Sequence, residues 1–219
     1  DLGALEPLAA QSPSPDNIKT VRSLAGLKIQ QVCIGSCTNS SVRDLSVAAA
    51  VLKGRTVHPD VSLLVTPGSR QVLQMIADSG VLATFIAAGA RVLESACGPC
   101  IGQGAAPAEN TVSVRTFNRN FEGRSGTAKD MVLLASPEVA AVAAVFGEVR
   151  DPRACGLAYP TIGDPERFGV DDRMIVAPPP PAARTGVSIH RASTIGPPPA
   201  NTPLPARIDG VVLIKVGDK

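Results

Sequence analysis

Tryptophan is absent, there is one tyrosine, and aromatic residues make up only 3% of the 219-residue chain. A core without aromatic bulk has to be built from Ala, Val, Leu and Ile, and a hydrophobic fraction of 44% is enough for one. Bulk charge of one sign is also missing. The formal net charge is +2, so nothing draws the chain to a nucleic acid or an anionic membrane by charge alone. Scarce aromatics likewise weigh against binding nucleic acid by base stacking, so no nucleic-acid partner is expected. No apolar run approaches the roughly 20 residues that span a bilayer, and no signal-peptide pattern opens the chain; no membrane partner is expected either. The five cysteines, at 33, 37, 97, 100 and 155, are an odd number without a secretory signal. That argues against a disulfide framework, makes a reducing cytoplasmic compartment the expectation and leaves metal or cluster chemistry open.

What is present reads as an α/β domain. Residues 1–27 carry Pro7, Pro13 and Pro15 with little periodicity and are expected to be an extended approach. Residues 28–34 read as a strand, and a helix is expected over 41–53, with Ser41 and Asp44 at capping-box spacing and Gly54 after its end. Further strands are expected at 61–65, 91–93, 111–116 and 131–135, and further helices at 71–77 and 81–88. A last helix has Ser136 as N-cap, Pro137 at its first position and Gly147 beyond its end. Strands alternating with helices predict a three-layer α/β/α arrangement around a mainly parallel sheet. The α/β domain is expected over 28–165. Nine of the 20 prolines lie between Pro178 and Pro205, so 166–219 is expected to be a stiff Pro-rich linker leading into a truncated domain. The start at Asp1 without Met, and the stop just after the apolar run Val211-Val212-Leu213-Ile214, suggest a piece of a longer chain.

In open α/β sheets, ligands collect beyond the carboxyl ends of the strands, and the unusual polar segments of this chain directly follow its expected strands. They are Gly35-Ser36-Cys37-Thr38-Asn39, Thr66-Pro67-Gly68-Ser69-Arg70, Ser95-Ala96-Cys97-Gly98-Pro99-Cys100, Phe117-Asn118-Arg119-Asn120 and Ser136-Pro137-Glu138. Three thiols, Cys37, Cys97 and Cys100, lie in these loops, and thiolates at a two-residue gap can hold one soft metal or adjacent irons of a cluster. Cys33 lies within a strand, about 13 Å from Cys37 if the chain is extended at ~3.3 Å per residue; burial is its expected fate, and Cys155 is expected to be a plain small residue. Three other readings of Cys97-Gly98-Pro99-Cys100 stay open. A structural zinc site needs a fourth ligand, and His58, His190, the spare cysteines and the carboxylates have no ligand-like spacing. A thioredoxin-type dithiol has the same four letters, although Ser95 and Ala96 stand where an aromatic residue precedes that motif. Inert buried thiols would leave the polar loops unexplained. Asn118-Arg119-Asn120-Phe121-Glu122-Gly123-Arg124 adds two guanidinium groups suited to carboxylates, with a solvated surface loop as the alternative.

Together these segments resemble the aconitase and isopropylmalate dehydratase family. Cys33-Ile34-Gly35-Ser36-Cys37-Thr38-Asn39-Ser40 resembles the signature of its first cluster cysteine. Ala96-Cys97-Gly98-Pro99-Cys100-Ile101-Gly102-Gln103 resembles the signature of the second and third, and 117–124 the substrate-binding segment. The resemblance implies a [4Fe–4S] cluster held by Cys37, Cys97 and Cys100, one iron of which has no protein ligand and acts as a Lewis acid. It implies Asn118 as a hydrogen-bond donor to the cluster, and Arg119 and Arg124 as the grips for substrate carboxylates. The implied reaction interconverts citrate and isocitrate through cis-aconitate, with the homoaconitase and isopropylmalate dehydratase activities as neighbours. In the family the acid–base groups come from domains before and after this segment. The remaining aconitase domains are therefore the implied partners, no catalytic residue is assigned to this chain, and it is not expected to turn over substrate alone. His58 and His190 match no family position, and 204–217 resembles the start of the family's swivel domain.

Overall fold

The computed structural model describes residues 1–215, which fall into two compact units, Asp1–Asp172 and a second from Arg173 onward. Among the described residues the first unit contains seven strands: β1 Leu8–Gln11, β2 Ile18–Thr20, β3 Gln31–Gly35, β4 Ser62–Thr66, β5 Arg91–Val92, β6 Val112–Arg115 and β7 Met131–Leu134. They form one sheet in the order β2-β1-β7-β6-β3-β4-β5. From β7 to β5 all neighbours are parallel, while β1 runs antiparallel to β7 and to β2. β3, the middle of the five parallel strands, is buried along its whole length and pairs Gln31↔Ser62 through Gly35↔Thr66 with β4, and Gln31↔Ser113 through Cys33↔Arg115 with β6.

The helices begin and end where their capping residues dictate. In α1, Val42–Leu52, Ser41 and Asp44 close both bonds of a capping box. In α2, Arg70–Asp78, the Ser69 side chain accepts from the Val72 amide, and α3, Val81–Ala88, is bounded by left-handed Gly80 and Gly89. In α4, Pro137–Phe146, Ser136 accepts from the Val139 amide and left-handed Gly147 closes the last turn. α1 packs against α2, α3 and α4, and α4 packs on β3 and β6. One face of the sheet thus carries the helices, over a core containing Val32, Ile34, Leu63, Val65, Val114 and Leu133. Alternate strand residues turn to the other face, where Cys33, Leu64 and Leu134 meet Cys100, Ala105 and Phe117. The α/β class with a mainly parallel sheet is as expected, but the second covering layer is made of loops and a 3-10 turn, Pro99–Ile101, rather than α-helix. Those loops are the ones that carry the thiols.

The segment read as an extended approach also differs. Residues 8–11 and 18–20 pair with each other and extend the sheet beyond β7. Strands of three and four residues beside Pro7, Pro13 and Pro15 carry little periodicity, and what joins them to the rest of the sheet is the remote pairing of Ala10 with Leu134. In the second unit the Pro-rich stretch is exposed and irregular apart from a 3-10 turn at Pro181–Ala183. The stretch resembling a swivel-domain start is exposed as far as residue 215, and its residues 216 and 217, like 218 and 219, lie outside the described residues. No single helix among the described residues is long and apolar enough to cross a membrane.

Candidate functional site

Because β7, β6, β3, β4 and β5 run parallel, the loops that follow them gather at one edge of the sheet. Cys37 is exposed in the loop after β3. Cys97, exposed, and Cys100, buried, follow β5, and exposed Asn118 and Arg119 follow β6.

The Cys37 loop is held from behind by the ends of two neighbouring strands. Gly35 has φ +100, and a Cβ there would lie 2.0 Å from the Thr66 carbonyl oxygen, so glycine is required for the chain to leave β3 against β4. Ser36 is also left-handed, with φ 77, and its amide donates to Thr66 O at 2.8 Å. Thr116, just past β6, ties the loop from the other side. Its hydroxyl accepts from the Gly35 amide at 2.9 Å, and its carbonyl accepts from Thr38 Oγ1 at 3.2 Å and Asn39 Nδ2 at 2.6 Å. With both flanks pinned, Cys37 stands outward at the tip.

The second thiol loop turns tightly. The amides of Ile101 and Gly102 donate to Gly98 O and Pro99 O, and Gly102 is left-handed at φ 79. A Cβ on Gly102 would lie 2.1 Å from Ser125 O, so glycine lets this turn press against the loop after β6. From that loop Arg124 donates to Cys100 O at 2.9 Å and approaches its sulfur at 3.4 Å. From below, Arg115 Nη1 donates to Pro99 O at 3.0 Å. Beside the turn lies an open depression of about 360 Å³, lined by Arg91, Glu94, Cys97, Gly98 and Gln103 among others.

Electrostatics couple the three thiols. The pKa of Cys100 is raised, first by burial; Arg124 opposes the rise, while Cys97 and Cys37 both add to it. Burial pushes Cys33 up to about 11, as expected for an inert strand cysteine. Among the described residues no group of three or more His, Cys, Asp or Glu is arranged to hold a single metal ion. A cluster makes a different demand, because each protein-bound iron takes its own thiolate. Three cysteines from two loops at one edge, with guanidinium donors behind them, match that demand in donor chemistry.

Of the residues expected to serve a substrate, Asn118 and Arg119 are exposed and make no hydrogen bond or ion pair among the described residues, whereas Arg124 is half-buried against Cys100. Cys155 lies apart, its thiol donating to Asp151 O at 3.3 Å. His58 precedes β4, at the amino end of the sheet opposite the thiols, with its amide on Ala144 O and its ring against Gly147. Sequence reasoning missed buried Arg115, and also buried Asn120, whose Nδ2 donates to Ala10 O and Ser14 O and ties the arginine loop to β1. The available signal for Arg115 was its place in a strand that a parallel sheet covers on both faces.

Comparison with known proteins matches residues 8–147 to the family described as aconitase family (aconitate hydratase). The chain is 47% identical over 154 residues to the 3-isopropylmalate dehydratase large subunit 1 of Methanopyrus kandleri, covering 70% of this chain and 37% of that protein. It is 44% identical over 153 residues to the 3-isopropylmalate dehydratase large subunit of Moorella thermoacetica, covering 69% and 36%. Against the methanogen homoaconitase large subunit of Methanocaldococcus jannaschii it is 43% identical over 151 residues, covering 68% and 36%. The chain spans little more than a third of the length of these curated relatives.

Proposed function

From the premise that the chain belongs to the aconitase family, we propose that it is the cluster- and substrate-binding domain of a hydro-lyase acting on a hydroxylated di- or tricarboxylic acid. The observation that supports the reading is that the loops carrying Cys37, Cys97 and Cys100 leave parallel strands at the carboxyl edge of the sheet, as does the arginine loop. These three thiolates would hold a [4Fe–4S] cluster. When bound, that cluster supplies a Lewis acid at an iron without a protein ligand, which polarises a substrate hydroxyl. Exposed Arg119 would grip a substrate carboxylate through paired charge-assisted hydrogen bonds. Arg124, with Nη1 on the Cys100 carbonyl and Nη2 3.4 Å from the Cys100 thiol sulfur, would grip a second carboxylate from beside that ligand. Asn118, next to Arg119, would donate to the cluster's inorganic sulfur. Reduced thiolates suit a cytoplasmic setting.

The substrate we propose is 3-isopropylmalate or a homologous hydroxy acid, because the relatives reported above are named 3-isopropylmalate dehydratase and homoaconitase large subunits. Citrate and isocitrate form the second reading, favoured by the aconitase-like wording of 96–103. Either reaction would need the remaining family domains or a partner subunit for its acid–base groups. A thioredoxin-type role has less support. Cys97-Gly98-Pro99-Cys100 runs into a three-residue 3-10 turn, not the long α-helix whose N-terminus lowers a thiol pKa in that chemistry.

The test is a Mössbauer titration of anaerobically reconstituted protein with 3-isopropylmalate and with citrate. The proposal expects one iron site to change its spectrum, at lower concentrations of 3-isopropylmalate. The reverse order would favour the citrate reading, and no change with either acid would contradict substrate binding at this site.

A further inference from the structure

Arg115 closes β6 and is 1% exposed. In its strand Val112 and Val114 face the helices, while Ser113 and Arg115 alternate onto the opposite face, beneath the thiol turn. All the acceptors of its guanidinium are neutral. Nε donates to Ser113 Oγ at 2.8 Å, Nη1 to Pro99 O at 3.0 Å and Nη2 to Gln31 Oε1 at 2.8 Å. Gln31 is fixed in turn, accepting from Ser113 Oγ at 2.7 Å and donating to Ala105 O at 3.0 Å. The ring of Phe117 lies 5.7 Å away. No carboxylate pairs with Arg115 among the described residues.

Burying a guanidinium among neutral acceptors leaves much of its desolvation cost uncompensated. The ionisable groups its charge acts on are the thiols of Cys33 and Cys100, whose burial-raised pKa it opposes and which turn negative only on losing their protons, as they do on binding metal. Cys100 is one of the three cysteines assigned to the cluster, and Pro99, whose carbonyl Arg115 holds, is its neighbour. We propose that Arg115 is a positioning residue and built-in counter-cation for the thiolate-held group. It fixes the Pro99–Ile101 turn from below and balances the negative charge that Cys37, Cys97 and Cys100 bring together. The inference rests on the cluster reading of the same site. It accounts for a buried cation that no carboxylate compensates, since its partner is the group the thiolates hold.

A structural arginine and a counter-cation respond differently to substitution. Loss of a purely structural arginine should cost the same stability with or without the cluster, whereas loss of a counter-cation is felt most when the cluster's negative charge is present. A positive charge near a cluster favours its more negative reduced form and raises its reduction potential. The experiment compares Arg115→Gln, Arg115→Met and Arg115→Lys in this chain, reconstituted anaerobically. It follows iron release to a chelator, the cluster's reduction potential by EPR-monitored titration, and melting temperature with and without the cluster. Both neutral variants should lose iron faster, by about 10- to 100-fold as for other residues supporting metal ligands, and should show a more negative potential. Arg115→Lys should keep the potential near that of the unaltered protein. Arg115→Met should melt lower than the unaltered protein even without the cluster, since Pro99 O and Gln31 Oε1 lose a donor, and the deficit should be larger with the cluster loaded. If Arg115→Gln does not fold, Arg115→Met supplies the same comparison. An unshifted potential in the neutral variants, or an equal fall in melting temperature with and without the cluster, would overturn the proposal. An unaltered chain that takes up no iron would defeat the cluster reading itself. One that loads normally beside indistinguishable variants would defeat the Arg115 inference alone.

Discussion

Cys33 and Cys37 stand four residues apart in opposite environments, one sealed in β3 and the other at the tip of a loop. Sealing has a consequence for pH. Cys33 keeps its proton to about 11 in the fold against an ordinary value of 9.0. Its contribution to stability is complete below pH 9 and is lost as pH rises to 11, where the unfolded chain has already ionised. Two pKa units correspond to about 2–3 kcal/mol. Urea melts of cluster-free protein should therefore show a steeper decline between pH 9 and 11 than those of Cys33→Ala. Equal slopes would mean that the thiol is not sealed. The two arginines of the loop after β6 should also separate. Exposed Arg119→Ala should weaken hydroxy-acid binding about 10- to 150-fold, the worth of a charge-assisted hydrogen bond, and leave iron content intact. Arg124→Ala, which frees the Cys100 carbonyl, should lower both; a ligand titration beside an iron assay distinguishes them. At this scale the thiols and the arginine loop were legible from residue type and spacing. Arg115 was not, because the alternation of Val112 and Val114 marks one buried face and is silent on what covers the other.

Among the elements, those with local signals were the readable ones. Ser41, Ser69 and Ser136 each cap a helix, and Gly80, Gly89 and Gly147 end helices in left-handed turns, so helix type and placement followed from neighbours in sequence. β1 and β2 had no such signal. Leu8-Ala9-Ala10-Gln11 is short and flanked by prolines, and its strand identity comes from pairing Ala10 with Leu134. The loop layer over the second face was hidden for a related reason. Its packing depends on contacts such as Gly102 against Ser125, between segments more than 20 residues apart. Gly102→Ala tests that layer. A side chain there meets Ser125 O and must also adopt a left-handed φ, which costs roughly 1–2 kcal/mol before any clash. The substitution should speed iron loss from reconstituted protein while far-UV circular dichroism stays unchanged, since the helices lie on the other face. Unaltered iron retention would show that the turn does not need the close approach.

Across the whole first unit, function is divided by face and by edge. Helices occupy one face, thiol and arginine loops the other, and the carboxyl edge collects the cysteines while His58 sits at the amino edge. An open iron and a carboxylate grip do not complete a dehydration, which also needs a base for the neighbouring carbon-bound proton. Such groups contribute about 10²–10⁴-fold, and neither the carboxyl-edge loops nor the thiol turns bring a histidine to the site. Reconstituted chain alone should therefore form no unsaturated acid from 3-isopropylmalate or citrate in an ultraviolet absorbance assay, and adding the remaining family domains should restore turnover. Substantial turnover by the chain alone would point to a base at the carboxyl edge itself. All of this depends on three thiolates sharing one cluster, and iron with acid-labile sulfide in anaerobically reconstituted protein measures that directly. The account predicts about four of each per chain, retained in Cys33→Ser and Cys155→Ser and lost in Cys37→Ser, Cys97→Ser and Cys100→Ser. A full complement in Cys37→Ser, or none in the unaltered chain, would contradict it.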